Sequence, residues 1–421
     1  MILGHAIALD PTPQQAEHFR RACGTARFAY NWGLAEWQSM YKAGEKPSAK
    51  VIKARWNAHR AEALPWSYEV TKCASGQAIR DLGAAFSNFF RDLRKPKRDR
   101  HFRYPKFKKK ALNESFALWN DQFEIVGKTV RIPNLGTVKL REELRFLGKI
   151  LGATVSFRGG RWFLSVQVET FFCRRPAPEG TVAGIDLGSR TLATIAPTAN
   201  EADAIAVPNP KPRKKLLGRI KRMQRRIDRQ KHRAKKAGQK KASRRQYIRQ
   251  LRLSKLHARA ANIRNDAAHK LTVAEARRSR TNVIENLNVS GMAKNHSLAG
   301  AILDCGFHEI SRQLQYKSQM HDGHRIVIAN RFYPSTQTCC CCGSICGPRG
   351  REHMGVERWV CADCDAEHGR DSNAAVVLRS LGTASPEVTR GDTGPLPAGT
   401  RSSASPADEP RTEPAHTCAH I

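Results

Sequence analysis

The chain of 421 residues carries 73 Lys and Arg against 37 Asp and Glu, a formal charge of +36. A compact state so positive repels itself and is tolerated where the partner is a polyanion, which argues against an enzyme of small neutral metabolites acting alone. No run of about 18 apolar residues exists to span a membrane, and the opening MILGHAIALDPTPQQ has no basic start and breaks at Asp10-Pro11, unlike a secretory signal.

With 40% apolar residues, the length suits two or three ordinary domains. Residues 1–9 alternate weakly, as a strand does. From Pro11 to Asp92 the spacing of Ala16, Phe19, Cys23, Ala26, Tyr30 and Leu34 predicts helix. RKPKRDRHFRYPKFKKK (94–110) follows. A basic run is ordinarily a solvated face, but Phe102, Tyr104 and Phe107 tip the reading towards a surface that tracks a nucleic-acid backbone and stacks bases. Residues 115–172 change to short β-rich runs (SFALW, FEIVG, TVRI, TVKL) and a hairpin turning at Gly159-Gly160, the pattern of a small barrel or sandwich. Arg174 to Pro178 reads as a linker, after which TVAGIDLGSRTLATIAPT gives two strands around a Gly-Ser turn.

Residues 211–264 hold 23 Lys and Arg and one acid, Asp228. Leu216, Ile220, Met223 and Ile227 form one apolar stripe, and Leu253, Leu256, Ala260, Ile263, Ala267 and Leu271 another. With Gly238 between them, they predict a helical hairpin with one packed and one very basic face. A coiled-coil partner is a poorer reading, because almost no acids are available for interhelical pairing. The last 41 residues, from Leu381, hold six prolines and 3 Arg against 5 acids, the composition of a disordered tail.

Seven of the 12 cysteines fall in one stretch, which in a chain without a secretory signal reads as a metal site in a reducing cytosol. Cys339-x2-Cys342-x18-Cys361-x2-Cys364 has the spacing of a zinc ribbon, four thiolates around one ion, with Gly343 helping the first knuckle turn. Cys340, Cys341 and Cys346 compete as ligands, so the register stays open. Three carboxylates form a second constellation. Asp186 sits inside the apolar strand AGIDLG, where an uncompensated charge is costly. Glu285 ends TNVIE, and Asp371 opens DSNAAVVL, a helix start. Singly, these read as an edge-strand Asp, a strand-terminal Glu and a helix N-cap. Together they suit a nuclease whose carboxylates hold two Mg²⁺ ions about 3.5–4 Å apart for phosphodiester hydrolysis.

GIDLGSRTLATIA, NVIENLNVSGM, KNHSLAGAILDCGFHEISRQLQYKSQ, RFYPSTQTCCCCG and HGRDSNAA resemble, in order, the motifs of the TnpB (OrfB) family, insertion-sequence proteins similar to compact type V CRISPR effectors. ARFAYNWGL and RYPKFKKK also fit, and the resemblance runs from about Ile7 to Leu378. It implies a multidomain α+β chain. A wedge β-barrel (1–10 and 94–175) is interrupted by a helical recognition domain (11–93). An RNase H-like RuvC α/β domain (179–334) carries the basic hairpin 211–271, followed by a zinc-ribbon insert (335–367), the final RuvC helix (368–380) and a tail (381–421). It implies Asp186, Glu285 and Asp371 as catalytic, magnesium-binding residues and Cys339, Cys342, Cys361 and Cys364 as zinc ligands. The implied activity is RNA-guided DNA cleavage by a cytoplasmic, nucleoid-associated monomer, with a guide RNA from the transposon end and double-stranded DNA as partners, and no membrane. Three departures stand out, one of them the extra cysteines in CCCC that blur the ligand register. Where the family reads HDRD the chain has His368-Gly369-Arg370-Asp371, so support for the last carboxylate is expected to be weaker, and Asp365 stands where Gly commonly follows the last knuckle. A guide-dependent repressor without cleavage is disfavoured by the three filled carboxylate positions. A transposase acting by itself is disfavoured because no His-x-His with a nearby Tyr is present.

Overall fold

The computed structural model describes residues 1–170, 175–176, 178–239, 243–349, 353 and 355–383. Strand β1 (Ile2–Asp10) turns Leu3, His5, Ile7 and Leu9 inward. Helix α1 (Pro13–Lys42) starts where Thr12 accepts from the Gln15 N–H, the Gln15 side chain accepts from the Thr12 N–H, and Pro13 sets the first turn. With α2 (Ala49–Ala63) and α3 (Lys72–Leu93) it closes a core of Leu34, Trp37, Ile52, Trp56, Ile79, Leu82 and Phe86. The following basic segment is pinned rather than loose. Asp92, buried at the end of α3, accepts from the His101 and Phe102 N–H groups at 2.7 and 2.8 Å and pairs with Lys95, which together hold its carboxyl well below the usual range. Asn31 clamps Lys108 by exchanging both backbone hydrogen bonds with it.

Strands β2 (Glu114–Trp119), β3 (Glu124–Val126), β4 (Thr129–Ile132), β5 (Gly136–Leu140), β6 (Lys149–Arg158) and β7 (Arg161–Glu169) join β1 in a seven-stranded antiparallel sheet, ordered β2-β6-β7-β1-β5-β4-β3. The β6–β7 hairpin turns at Gly159 and Gly160, both with positive φ. The inward face of the sheet (Phe116, Leu118, Val155, Leu164, Val166) packs on Phe19, Ala22 and Cys23 of α1, so the sheet and the helices share apolar surface.

The second half is built on a five-stranded sheet. The two-residue β8 (Arg175–Pro176) precedes β9 (Val182–Asp186), β10 (Thr191–Ala196) and β11 (Ile205–Pro208). Helices α4 (Pro212–Lys236) and α5 (Arg244–Arg278) form the basic hairpin, turning at Gly238, with Leu216, Ile220 and Ala260 packed together. Then come β12 (Thr281–Glu285), α6 (Val289–Met292), α7 (Ala299–Cys305), α8 (Phe307–Ser318), β13 (His321–Asp322), paired with β8, and β14 (Arg325–Ala329). The chain ends its described part with β15 (Arg358–Val360), β16 (Glu367–Gly369) and α9 (Arg370–Thr383). The order is β11-β10-β9-β12-β14, with β12 parallel to both β9 and β14. Alternation along the strands divides the faces. Ala183, Ile185 and Ile284 face α5, α7 and α8, while Val283 and Ala329 share the opposite face with α9 through Leu378.

The fold is thus mixed α and β with two large sheets. Among the described residues no helix is long and apolar enough to cross a membrane. Some elements differ from the sequence reading. His368 and Gly369 are strand, because they pair with Trp359 and Arg358, so the final helix starts at Arg370 rather than 368. It runs to Thr383, and residues 384–421 of the expected tail lie outside the described residues. Of the expected linker, Arg174 and Ala177 lie outside them as well, while Arg175–Pro176 is strand. Ile263, placed on a packed stripe, is 37% exposed.

Candidate active site and metal centre

Parallel pairing sets two carboxylates side by side. Ile185 of β9 is level with Ile284 of β12, so the next residues, Asp186 and Glu285, end adjacent strands at the same edge of the sheet. Each lies two residues beyond a position facing α9, Gly184 and Val283, and period-two alternation turns both towards that helix. Helix α9 comes unusually close. A Cβ on Gly184 would stand 2.0 Å from the Ala375 carbonyl oxygen and 2.5 Å from the Arg379 nitrogen, so glycine is what admits the helix. Asp371, in the first turn of α9, is thereby carried to the same edge.

Asp186 feels the other two acids. Burial, then the negative charges of Glu285 and Asp371, holds the Asp186 carboxyl well above the usual carboxylate range, with Arg370 and the Leu187 N–H opposing. Ser335 donates to Glu285 at 2.5 Å, and Thr191 to Asp371 at 3.5 Å. The three carboxylates are not among the described groups whose donor atoms all lie within 4.8 Å of one another. A carboxylate raised by burial and by two like charges marks a candidate functional site.

The cysteines are tighter. Cys339, Cys342, Cys361 and Cys364 bring their sulfurs within 4.8 Å of one another. Cys339–Cys364 and Cys342–Cys361 measure 3.7 and 3.6 Å, against the edge of about 3.8 Å that a tetrahedron with 2.3 Å Zn–S bonds requires. The two knuckles are alike. Gly343 (φ 78°) donates its N–H to the Cys339 carbonyl, and Asp365 (φ 54°) donates to that of Cys361. The Asp at 365 therefore occupies a left-handed position that suits glycine. Cys339 is set up to ionise. Although burial opposes it, the N–H groups of Cys342 and Cys341 bring its thiol down to about 6. Cys340 is the reverse: burial, then Glu201, pushes its thiol well above the usual range, and it donates to Glu201 at 3.1 Å. Cys346 lies 3.3 Å from Cys361, beside the four rather than among them. The cluster can hold a metal ion.

Several residues at this junction have no role in the sequence reading. Asn373, fully buried, accepts from the Cys340 N–H at 2.9 Å and donates to the Thr338 carbonyl at 2.7 Å, tying α9 to the first knuckle. His368 sits 3.1 Å from the Cys339 sulfur through Nε2 and contacts Glu201 through Nδ1. Glu201 also accepts from the Gly369 N–H and the Ser372 hydroxyl. In the sequence, the missing acid at 369 marks weaker support for Asp371 and does not point to Glu201.

Residues 163–296 match the OrfB family model of IS605, described as a probable transposase, and residues 307–378 match a Cas12f1-like TNB domain. Residues 1–46 match a model described as a helix-turn-helix domain, although they fold as β1 and the single 30-residue helix α1. A Streptomyces pristinaespiralis protein named "Putative RNA-guided DNA endonuclease" is 31% identical over 385 residues, covering 89% of this chain and 88% of its own. The chain belongs to the TnpB (OrfB) family. A similarly named Mycobacterium tuberculosis protein is 30% identical over 97% of this chain and 94% of its own. The cryo-EM structure of CasPhi-2 (Cas12j) bound to crRNA covers 93% of this chain and 99% of its own, at 11% identity and a TM-score of 0.40, a likeness too distant to argue from. Within this TnpB-family chain, the matched Cas12f1-like segment spans the cysteine cluster and Asp371.

Proposed function

We propose that this TnpB-family chain is an RNA-guided DNA endonuclease of transposon origin, cutting by metal-assisted phosphodiester hydrolysis in an RNase H-like, RuvC-type site. The observation that carries the reading is the arrival of Asp186, Glu285 and Asp371 from three chain segments at one sheet edge, with the Asp186 carboxyl raised by burial and by the other two. Its relatives' names support the same activity. Bound there, two Mg²⁺ ions supply nucleophile activation and charge stabilisation on the leaving oxygen. The protein's own work is to hold three carboxylates in register, with Ser335 and Thr191 orienting two of them. The four cysteines suit a structural zinc, whose binding energy, about 10–16 kcal/mol in peptide systems, is also folding energy of the ribbon.

The seven-stranded sheet with its helices fits the wedge barrel and recognition domain of the family. The α4–α5 hairpin and the pinned segment 94–110 provide cationic surface for guide RNA and target DNA. Guide pairing then reads sequence while the protein reads backbone shape. The test is to purify the chain after coexpression with the DNA flanking its gene, sequence the RNA that copurifies, and challenge the complex with plasmids carrying the matching target. Cleavage that needs both the RNA and Mg²⁺ is expected. Target binding without cleavage would instead favour a repressor, and no bound RNA would end the reading.

A further inference from the structure

We propose that Glu201 is a positioning residue for this site: its carboxylate ties down the start of helix α9 from across the chain, holding Gly369 and Ser372, and so fixes Asp371 against the cysteine ribbon. The inference rests on reading Asp371 as a metal-binding carboxylate. Glu201 lies in the short connection between β10 and β11, 170 positions before Asp371. Four donors from three segments converge on it. Oε2 takes the Gly369 N–H at 3.2 Å and the Ser372 hydroxyl at 2.9 Å, and Oε1 takes Cys340 Sγ at 3.1 Å and contacts His368 Nδ1. Two of these donors bracket Asp371 in sequence.

Gly369 immediately precedes the first residue of α9, whose own N–H, on Arg370, is taken by the Glu357 carbonyl. Glu201 instead holds the Gly369 N–H and the Ser372 hydroxyl, on either side of Arg370 and Asp371. Glycine at 369 leaves Ser372 room for that contact. A Cβ on Gly369 would stand 2.5 Å from Ser372 Oγ, the atom that Glu201 holds. His368 extends the tether, since its buried ring bridges Glu201 to Cys339 at 3.1 Å, one of the four clustered sulfurs. Glu201, Cys340 and His368 are near enough to resemble another ion site, but Glu201 and His368 are in direct hydrogen-bond contact, which leaves no room for an ion between them. The arrangement is that of a carboxylate orienting a histidine beside a metal ligand.

Glu201→Ala removes all four contacts, and Glu201→Gln keeps the size but not the charge, in case the first variant folds poorly. In the full chain with its copurified RNA, single-turnover cleavage should fall about 10–100-fold, the usual loss when the partner orienting a metal site is removed. The Kd for target by gel shift and the zinc content should not change. Amide exchange in the peptide spanning Gly369 to Asn373 should quicken, and Glu201→Gln, which keeps an acceptor for Gly369 and Ser372, should lose less than Glu201→Ala. Cleavage at the wild-type rate, a loss that tracks lost zinc, or equal losses in the two variants would overturn the proposal. If the wild-type complex never cuts matched DNA, the functional reading fails by itself. The exchange arm then decides the role of Glu201: faster exchange upholds the tether, and unchanged exchange refutes it.

Discussion

Replacing Gly184 by Ala should be the most damaging small change in the second domain. Its added methyl would meet the Ala375 carbonyl at 2.0 Å and the Arg379 nitrogen at 2.5 Å, both backbone atoms that cannot rotate away. Ordinary contact begins at 3.4 Å, so α9 and β9 must separate by about 1.4 Å. Overpacking of this kind costs about 1–3 kcal/mol, and more where backbone must move. That is a fall in Tm of about 2–4 °C per kcal/mol for a domain of this size. The chemical penalty should be larger. The displaced helix carries Asp371, and a misplacement of about 1 Å in a catalytic constellation can cost about 10²-fold in rate. The assay pairs calorimetry with single-turnover cleavage, using Gly4→Ala as control because a Cβ on Gly4 meets nothing within 4 Å. Target binding should survive, since guide pairing and basic surface supply it. A Gly184→Ala protein that melts and cuts like the wild type would refute the close approach of α9 and with it the placement of Asp371.

Asp186→Ala, Glu285→Ala and Asp371→Ala should each abolish Mg²⁺-dependent cleavage and leave gel-shift affinity nearly intact; a variant that still cuts has been given the wrong role. Cys361→Ser and Cys364→Ser should strip zinc, measured by elemental analysis, whereas Cys340→Ser, whose thiol faces Glu201, should retain it. Asp365→Gly should stabilise the ribbon by up to about 1 kcal/mol in chelator-titrated melts, because the residue sits at φ 54°; no gain would refute the strain. Lys317 is buried against Thr272, His269 and Gln313, and burial pushes its ammonium down to about 8. A lowered lysine pKa means that the native state binds fewer protons than the unfolded chain. Its penalty is therefore full below about pH 8 and vanishes as pH rises through the unfolded value of about 10.4. Lys317→Met should raise Tm at pH 7 and lose most of that advantage by pH 10; a constant difference across this range would refute the assignment.

The parts of the site legible in the sequence are those whose chemistry leaves a local mark. Asp186 interrupts an apolar strand and Glu285 ends one, and both are strand-terminal in the fold. The doubled CxxC pattern announced four clustered sulfurs, and the structure adds why Cys340 stands apart: its thiol is turned to Glu201. The β-rich runs between 115 and 172 are all strands. Nothing local, however, says that β1 lies between β5 and β7, because that pairing is settled by burying Leu3, Ile7 and Leu9 on the shared core. Asn373 reads as an ordinary helix residue and Glu201 as one acid in a polar loop. Their roles come from contacts that span 33 and 167 positions, for which no periodicity or spacing rule exists.

Those long contacts matter because the three acids are not held alike. Asp186 and Glu285 are fixed to each other by backbone pairing of β9 with β12, which depends little on side chains elsewhere. Asp371 has no strand beneath it. Its position follows from how closely α9 can approach Gly184 and from what holds the start of that helix: Asn373 on the Cys340 N–H, and Glu201 on Gly369 and Ser372. Both tethers end on the first cysteine knuckle or on β16, whose strand partner β15 leads into the second knuckle at Cys361. A ribbon inserted between the last strand of the sheet and the helix bearing the third acid therefore does more than add binding surface. It sets where that acid stands, so the order of the cysteine cluster and the geometry of the carboxylates are one structural problem.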